Sequence, residues 1–111
     1  MIERTVLEYL QSHTGIPCYL EIPLNPPDRF IVMEKTGSTT ENYITSSTIA
    51  VQSYGKTLAG AIETNELVKE TMPGMTELDE IGGCYLNSDY NFTDTSTNKY
   101  RYQAVFDITH Y

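Results

Sequence analysis

The sequence predicts an α+β domain: a mainly antiparallel sheet of four to five strands, with an N-terminal helix and one long central helix packed on it. Three observations predict it. Residues 100–108 alternate cleanly, with Tyr100, Tyr102, Ala104, Phe106 and Ile108 on one side and Arg101, Gln103, Val105 and Asp107 on the other. That is the period of an antiparallel strand with one packed face and one largely wet face. Residues 48–72 begin with the same period at Ile49, Val51 and Ser53. They then switch to spacings of three and four at Leu58, Ala61, Ile62, Val68 and Met72, with Asn65 as the one polar break in the stripe. Finally, the signals come in segregated order: helix, three strands, helix, two strands.

Each element has its own warrant. A first helix is expected over residues 2–13, where Ile2, Val6 and Leu10 form a stripe flanked by Leu7 and Tyr9. Gly15 suits the residue after its C-cap, and Pro17 prevents continuation. His13 falls in the last turn and is read as structural. Strand one is expected over residues 18–22, ended by the prolines at 23, 26 and 27. Strand two spans residues 29–36. Phe30 and Val32 point one way and Ile31 and Met33 the other, so both faces should be covered. Residues 37–43, GSTTENY, read as a polar loop, mobile until a partner orders it. Strand three, residues 44–53, feeds the long helix, with Ser53 as its N-cap and Pro73-Gly74 as its stop. Residues 71–83 read as a turn-rich linker. Strand four covers residues 84–92, with Leu86, Tyr90 and Phe92 sharing a face. A hairpin-type loop at residues 93–99 leads to strand five.

Bulk properties narrow the function. The 111 residues, 40% of them hydrophobic, support one modest core and hence one domain. A net charge of -8 argues against nucleic acid or an anionic membrane as the main partner. Cys18 and Cys84 lie far apart, without metal-ligand spacing, and read as buried free thiols of a reducing cytosol. The charged stretch MIERTVLEYLQSH lacks the apolar core of a signal peptide. Asn91-Phe92-Thr93 matches a glycosylation acceptor that has no meaning without secretion.

One motif invites a catalytic reading. Residues 50–57, AVQSYGKT, fit a relaxed phosphate-binding pattern that ends in Gly-Lys-Ser/Thr. That chemistry needs backbone N–H groups wrapped around phosphates. Here the wrapping loop would be VQSY, which has no glycine and continues a strand pattern. A strand-to-helix junction with Lys56 in solvent is the preferred reading. Glu63, Glu66 and Glu70 similarly read as an acidic helix face, solvated or turned to a basic partner, rather than as a catalytic pair. No catalytic residue, cofactor or metal is expected.

Several short stretches together resemble a known family. Glu21-Ile22-Pro23 closes a strand after an N-terminal helix; FIVMEKTG leads from a hydrophobic strand into Thr36-Gly37; TIAVQSYGKTLAGA joins a strand to an alanine-bearing helix; YRYQAVFDITHY closes the chain. The arrangement is similar to that of the tail terminator, or tail completion, proteins of long-tailed bacteriophages. One departure is Ser38, where the family often carries a second glycine. The resemblance implies that residues 1–111 form a single tail-terminator-like domain. It further implies a non-enzymatic virion protein, made in the host cytoplasm and placed at the head-proximal end of the tail. Such a protein assembles with itself as a six-fold ring on the tail tube protein, stops tube polymerisation and offers a surface to a head–tail connector protein. The alternative is a connector (neck) or minor capsid protein of the same kind of particle. Under this reading the nine tyrosines supply core and interface area. The expected contacts are Ser38, Thr39, Thr40, Glu41, Asn42 and Tyr43 in the first polar loop, Glu63, Glu66 and Glu70 on the helix, and Thr95 and Asn98 in the second loop.

Overall fold

The computed structural model, which describes residues 1–97 and 99–111, bears out the α+β class as one five-stranded sheet with two helices. In chain order the elements are α1 (Ile2–Thr14), β1 (Cys18–Tyr19), β2 (Phe30–Glu41), β3 (Ile44–Gly55), α2 (Leu58–Thr71), a 3-10 helix (Met72–Glu77), β4 (Ile81–Asn91) and β5 (Tyr100–His110). The sheet order is β1-β2-β3-β5-β4. Among the described residues, only β1 is parallel to its neighbour.

Both helices lie on one face of this sheet. Ile31 and Met33 of β2, Ile49 and Val51 of β3, and Ala104, Phe106 and Ile108 of β5 project to that side. They meet Val6 and Leu10 of α1, Val68 of α2, and Met72 and Met75 of the 3-10 helix. The opposite face carries a second, smaller cluster in which Tyr19 packs on Phe30, Val32 and Tyr54. The alternation of strand two therefore holds, with both of its faces covered over residues 30–33. α1 ends as expected: Gly15 adopts φ 73°, and its N–H donates to the Gln11 carbonyl at 3.0 Å. His13, at that helix end, stacks on Tyr9 at 3.9 Å between ring centroids, and its Nδ1 lies 2.9 Å from the Tyr9 carbonyl.

Several expectations need correction. Strand one stops at Tyr19 instead of residue 22, and Leu20, Ile22 and Leu24 are exposed. The chain leaves the sheet ahead of its three prolines, whose rings cannot donate to a ladder. The polar loop at residues 37–43 is not a loop: β2 runs on through it and pairs with β3 as far as Glu41–Ile44. Asn42 and Tyr43 turn the hairpin at φ 52° and 67°. Two successive positive φ values mark the type I′ turn, which matches strand twist. Threonines on both faces hid this strand from periodicity, because nothing apolar alternates there. Cross-strand pairing still favours them, and the Thr40 and Thr45 hydroxyls lie 3.0 Å apart.

The junction into α2 is also later than expected. Ser53 is buried inside β3, paired with Ile31 and Tyr102, and cannot cap a helix. Thr57 is the cap, its hydroxyl accepting from the Gly60 N–H at 3.0 Å. The buried face of α2 is Ala61, Thr64, Asn65 and Val68, while Leu58 is exposed. Two polar residues sit there, Thr64 bonded through its hydroxyl and Asn65 through its Nδ2, while Asn65 Oδ1 is buried without a partner among the described residues. Arg29 donates to Thr64 Oγ1 at 2.7 Å, and Asn65 donates to Asp89 at 3.1 Å. The linker at residues 71–83 contains the 3-10 helix, with Pro73 in its first turn and Met72 and Met75 fully buried.

In β4, register shifts between Ile81 and Gly83 and between Leu86 and Ser88 break the simple alternation. Leu86 pairs with Phe106 on the helix-covered face, whereas Tyr90 pairs with Gln103 on the other. Leu86 and Tyr90 therefore do not share a face, because a bulge adds a residue and reverses the side-chain parity.

Candidate interaction surfaces

The distal part of the β2–β3 hairpin, residues 36–44, is an arm whose side chains are exposed on both faces. β5 still backs β3 as far as the Thr45–His110 pair, so only the turn and the Glu41–Ile44 pair pass beyond the other strands. The molecule measures 44 × 25 × 24 Å, with one long axis. Ser38, Thr39, Thr40, Glu41, Asn42 and Tyr43 all lie on this arm and are exposed, Tyr43 at 95%. A bulky side chain at positive φ is strained, and such strain clusters at functional positions.

The remaining expected contacts lie elsewhere. Glu63, Glu66 and Glu70 are exposed on α2. Glu66 is not a free acid: Lys69 Nζ lies 2.9 Å from it and 2.9 Å from Asp89. Hydrogen bonds to Glu66 and then to Asp89 hold the Lys69 ammonium above its ordinary pKa. Thr95 sits in the β4–β5 turn, past Asn91 and at the end of the sheet remote from Tyr43. Asn98 falls outside the described residues. The expected residues thus occupy three separate places instead of one site.

Sequence reasoning missed two further surfaces. The first is β4, an outer strand whose Tyr85, Leu86 and Tyr90 are exposed, Tyr85 at 65%, followed by exposed Phe92. An outer strand offers unpaired backbone groups, and large apolar side chains beside them add area for a partner. β2 is similarly open on its outer side, since β1 pairs only with Ile31 and Val32. The second is a cleft of about 260 Å³ lined by Ile22, Pro26, Phe30, Tyr54, Gly55, Lys56, Lys99 and Tyr100. Its floor is aromatic: Phe30 and Tyr54 stack with centroids 4.4 Å apart. Arg101 lies 4.4 Å from the Phe92 ring centroid and donates to the Tyr54 hydroxyl at 3.0 Å.

The phosphate-loop pattern dissolves in the fold. Residues 50–55 belong to β3, residues 50–54 in register with both neighbouring strands and Gly55 with β5, and Lys56 is exposed, 3.9 Å from Asp28. Among the described residues, no group of three or more His, Cys, Asp and Glu side chains is placed to hold a metal ion. Both cysteines are buried and free. Burial pushes the Cys18 thiol up to about 12 and the Cys84 thiol up to about 11, which keeps both protonated and unreactive. Among the described residues, no helix is long and apolar enough to cross a membrane.

His110 provides a pH signature at the base of the arm. Its Nε2 lies 2.8 Å from the hydroxyl of buried Ser47. Burial, and next Lys35, hold its pKa below the ordinary 6.5. Because the folded state disfavours the charged ring, His110 contributes stability above pH 6.5 that is lost as pH falls through its lowered pKa. His110→Gln should therefore flatten the decline in melting temperature between pH 7 and pH 5. Parallel curves for the two proteins would show that the ring does not titrate in this way.

No family model matches the chain, and no curated protein matches it either. Among solved structures it is similar to a chain of the virion of a native gene transfer agent particle. The TM-score is 0.73 at 11% identity, covering 98% of this chain and 93% of that one. At that identity the likeness establishes a shared fold over nearly the whole length of both chains.

Proposed function

We propose that the protein is a structural component of a phage-like virion, a tail terminator whose residues 1–111 form one ring-building domain. The observation that carries this reading is the end-to-end fold likeness to a chain of a virion particle. The family resemblance in the sequence adds the more specific role: a six-membered ring that caps the tail tube, stops its growth and receives a head–tail connector protein. The surfaces suit a protein that functions through contacts. An exposed hairpin tip passes beyond the other strands, two outer strands have open edges, and Glu63 and Glu70 are exposed on α2 beside the Lys69-paired Glu66. No catalytic step and no cofactor enters this role.

The test uses isolated tail tubes. Replacing residues 40–45 by Asn-Gly keeps the Thr39–Ser46 pair and should leave the fold intact. Capping should be lost, seen as tubes that continue to lengthen. Full capping by the shortened protein would remove the arm from the contact set. Binding to the connector side but never to tubes would replace the terminator role by the neck-protein role.

A further inference from the structure

We propose that Tyr43 at the arm tip of one copy docks into the aromatic cleft of a second copy, so that the protein associates tip to tail; this rests on the reading above that it assembles with itself. The knob is a single ring, 95% exposed, held on a two-residue turn where glycine would be less strained. The receptor is the cleft of about 260 Å³ floored by Phe30 and Tyr54, with Ile22, Pro26 and Tyr100 on its walls. Phe30 and Tyr54 are themselves buried, so the surface offered to the ring is mainly that of Ile22, Pro26 and Tyr100, against which an aromatic knob gains by packing and ring pairing.

Charge selects the same pairing. The chain carries 15 acidic against 7 basic side chains, yet Lys56 and Lys99 both line this cleft, and the exposed Asp28, 3.9 Å from Lys56, offsets only part of their charge. Glu41 pairs with Ile44 just before the turn, one residue from Asn42 and two from Tyr43. An acidic tip meeting a basic mouth is attracted there and repelled over most of the remaining surface.

The partner must be another molecule. The cleft lies at the Phe30 end of β2 and the tip lies past its Glu41 end, and the strand between them has 12 residues. At about 3.3 Å per residue the two are roughly 40 Å apart along a straight hairpin. The surfaces joined are different on the two copies, so the contact is heterologous. Such a contact closes into a ring when its rotation allows. It also leaves the outer edge of β4 free for other chains.

The experiment mixes two single variants of the full chain that keep the Tyr43 ring, Ile44→Cys beside it and Pro26→Cys at the cleft, under mild oxidation. Cys18 and Cys84 are buried and do not compete. The expected result is a disulfide-linked heterodimer of the two variants. In parallel, Tyr43→Gly should weaken self-association at least tenfold in native mass spectrometry while its melting temperature rises by a few degrees, since glycine relieves the turn. A Lys56→Glu, Lys99→Glu double variant should lose association and regain it when mixed with Glu41→Lys. Assembly without the crosslink, or Tyr43→Gly assembling at the wild-type concentration, overturns the tip-to-cleft contact and leaves the terminator reading standing. A wild-type protein that is monomeric at every concentration also overturns it, and the tube-binding test then decides the terminator reading separately.

Discussion

Gly55→Ala is expected to destabilise the fold by about 2–3 kcal/mol. A Cβ at Gly55 would stand 2.5 Å from the Ala61 nitrogen and 2.8 Å from the Gly60 carbonyl carbon. Both are backbone atoms of α2, so no side chain can rotate away. The helix would have to lift from β3, to which it is joined by only Lys56 and Thr57. Urea unfolding measures this as a lower midpoint at unchanged slope. A midpoint equal to the parent would mean that α2 does not approach β3 this closely. The same glycine is the one that made AVQSYGKT look like a phosphate loop. Its role here is to let a helix backbone touch a strand.

The larger loss is expected at Phe106, where truncation to alanine should cost about 3–5 kcal/mol. Phe106 is the largest of the fully buried side chains and sits on β5, which has neighbours on both edges. It lies in the cluster that joins both helices to the sheet, and its neighbours there come from elements that cannot all collapse into the gap. Leu24→Ala is the matched control: that side chain is 99% exposed and should change stability by less than about 0.5 kcal/mol. Equal effects at the two positions would contradict the assignment of the core.

The two positions also show what was legible in the chain. Strand five was legible because one face is packed and the other partly wet, so Ala104, Phe106 and Ile108 recur at period two. α1 was legible through its stripe and its glycine end. The arm was not, because residues 36–45 bury nothing and pairing between polar strands leaves no hydrophobic trace. The buried face of α2 was misjudged at Thr64 and Asn65, since their partners Arg29 and Asp89 are far away in sequence. The parity change in β4 depends on a bulge that local composition does not announce. Of the expected contacts, residues 38–43 lie together, but as strand and turn instead of the expected loop. The aromatic cleft was invisible, because its walls come from four separate stretches of chain.

Electron microscopy of the purified protein, mixed with isolated tail tubes and free tube subunits, decides whether it is a tail terminator. A terminator forms closed six-membered rings seated on tube ends, and the tubes stop growing. Tubes that lengthen as fast as without the protein, with no added density at either end, would contradict that role.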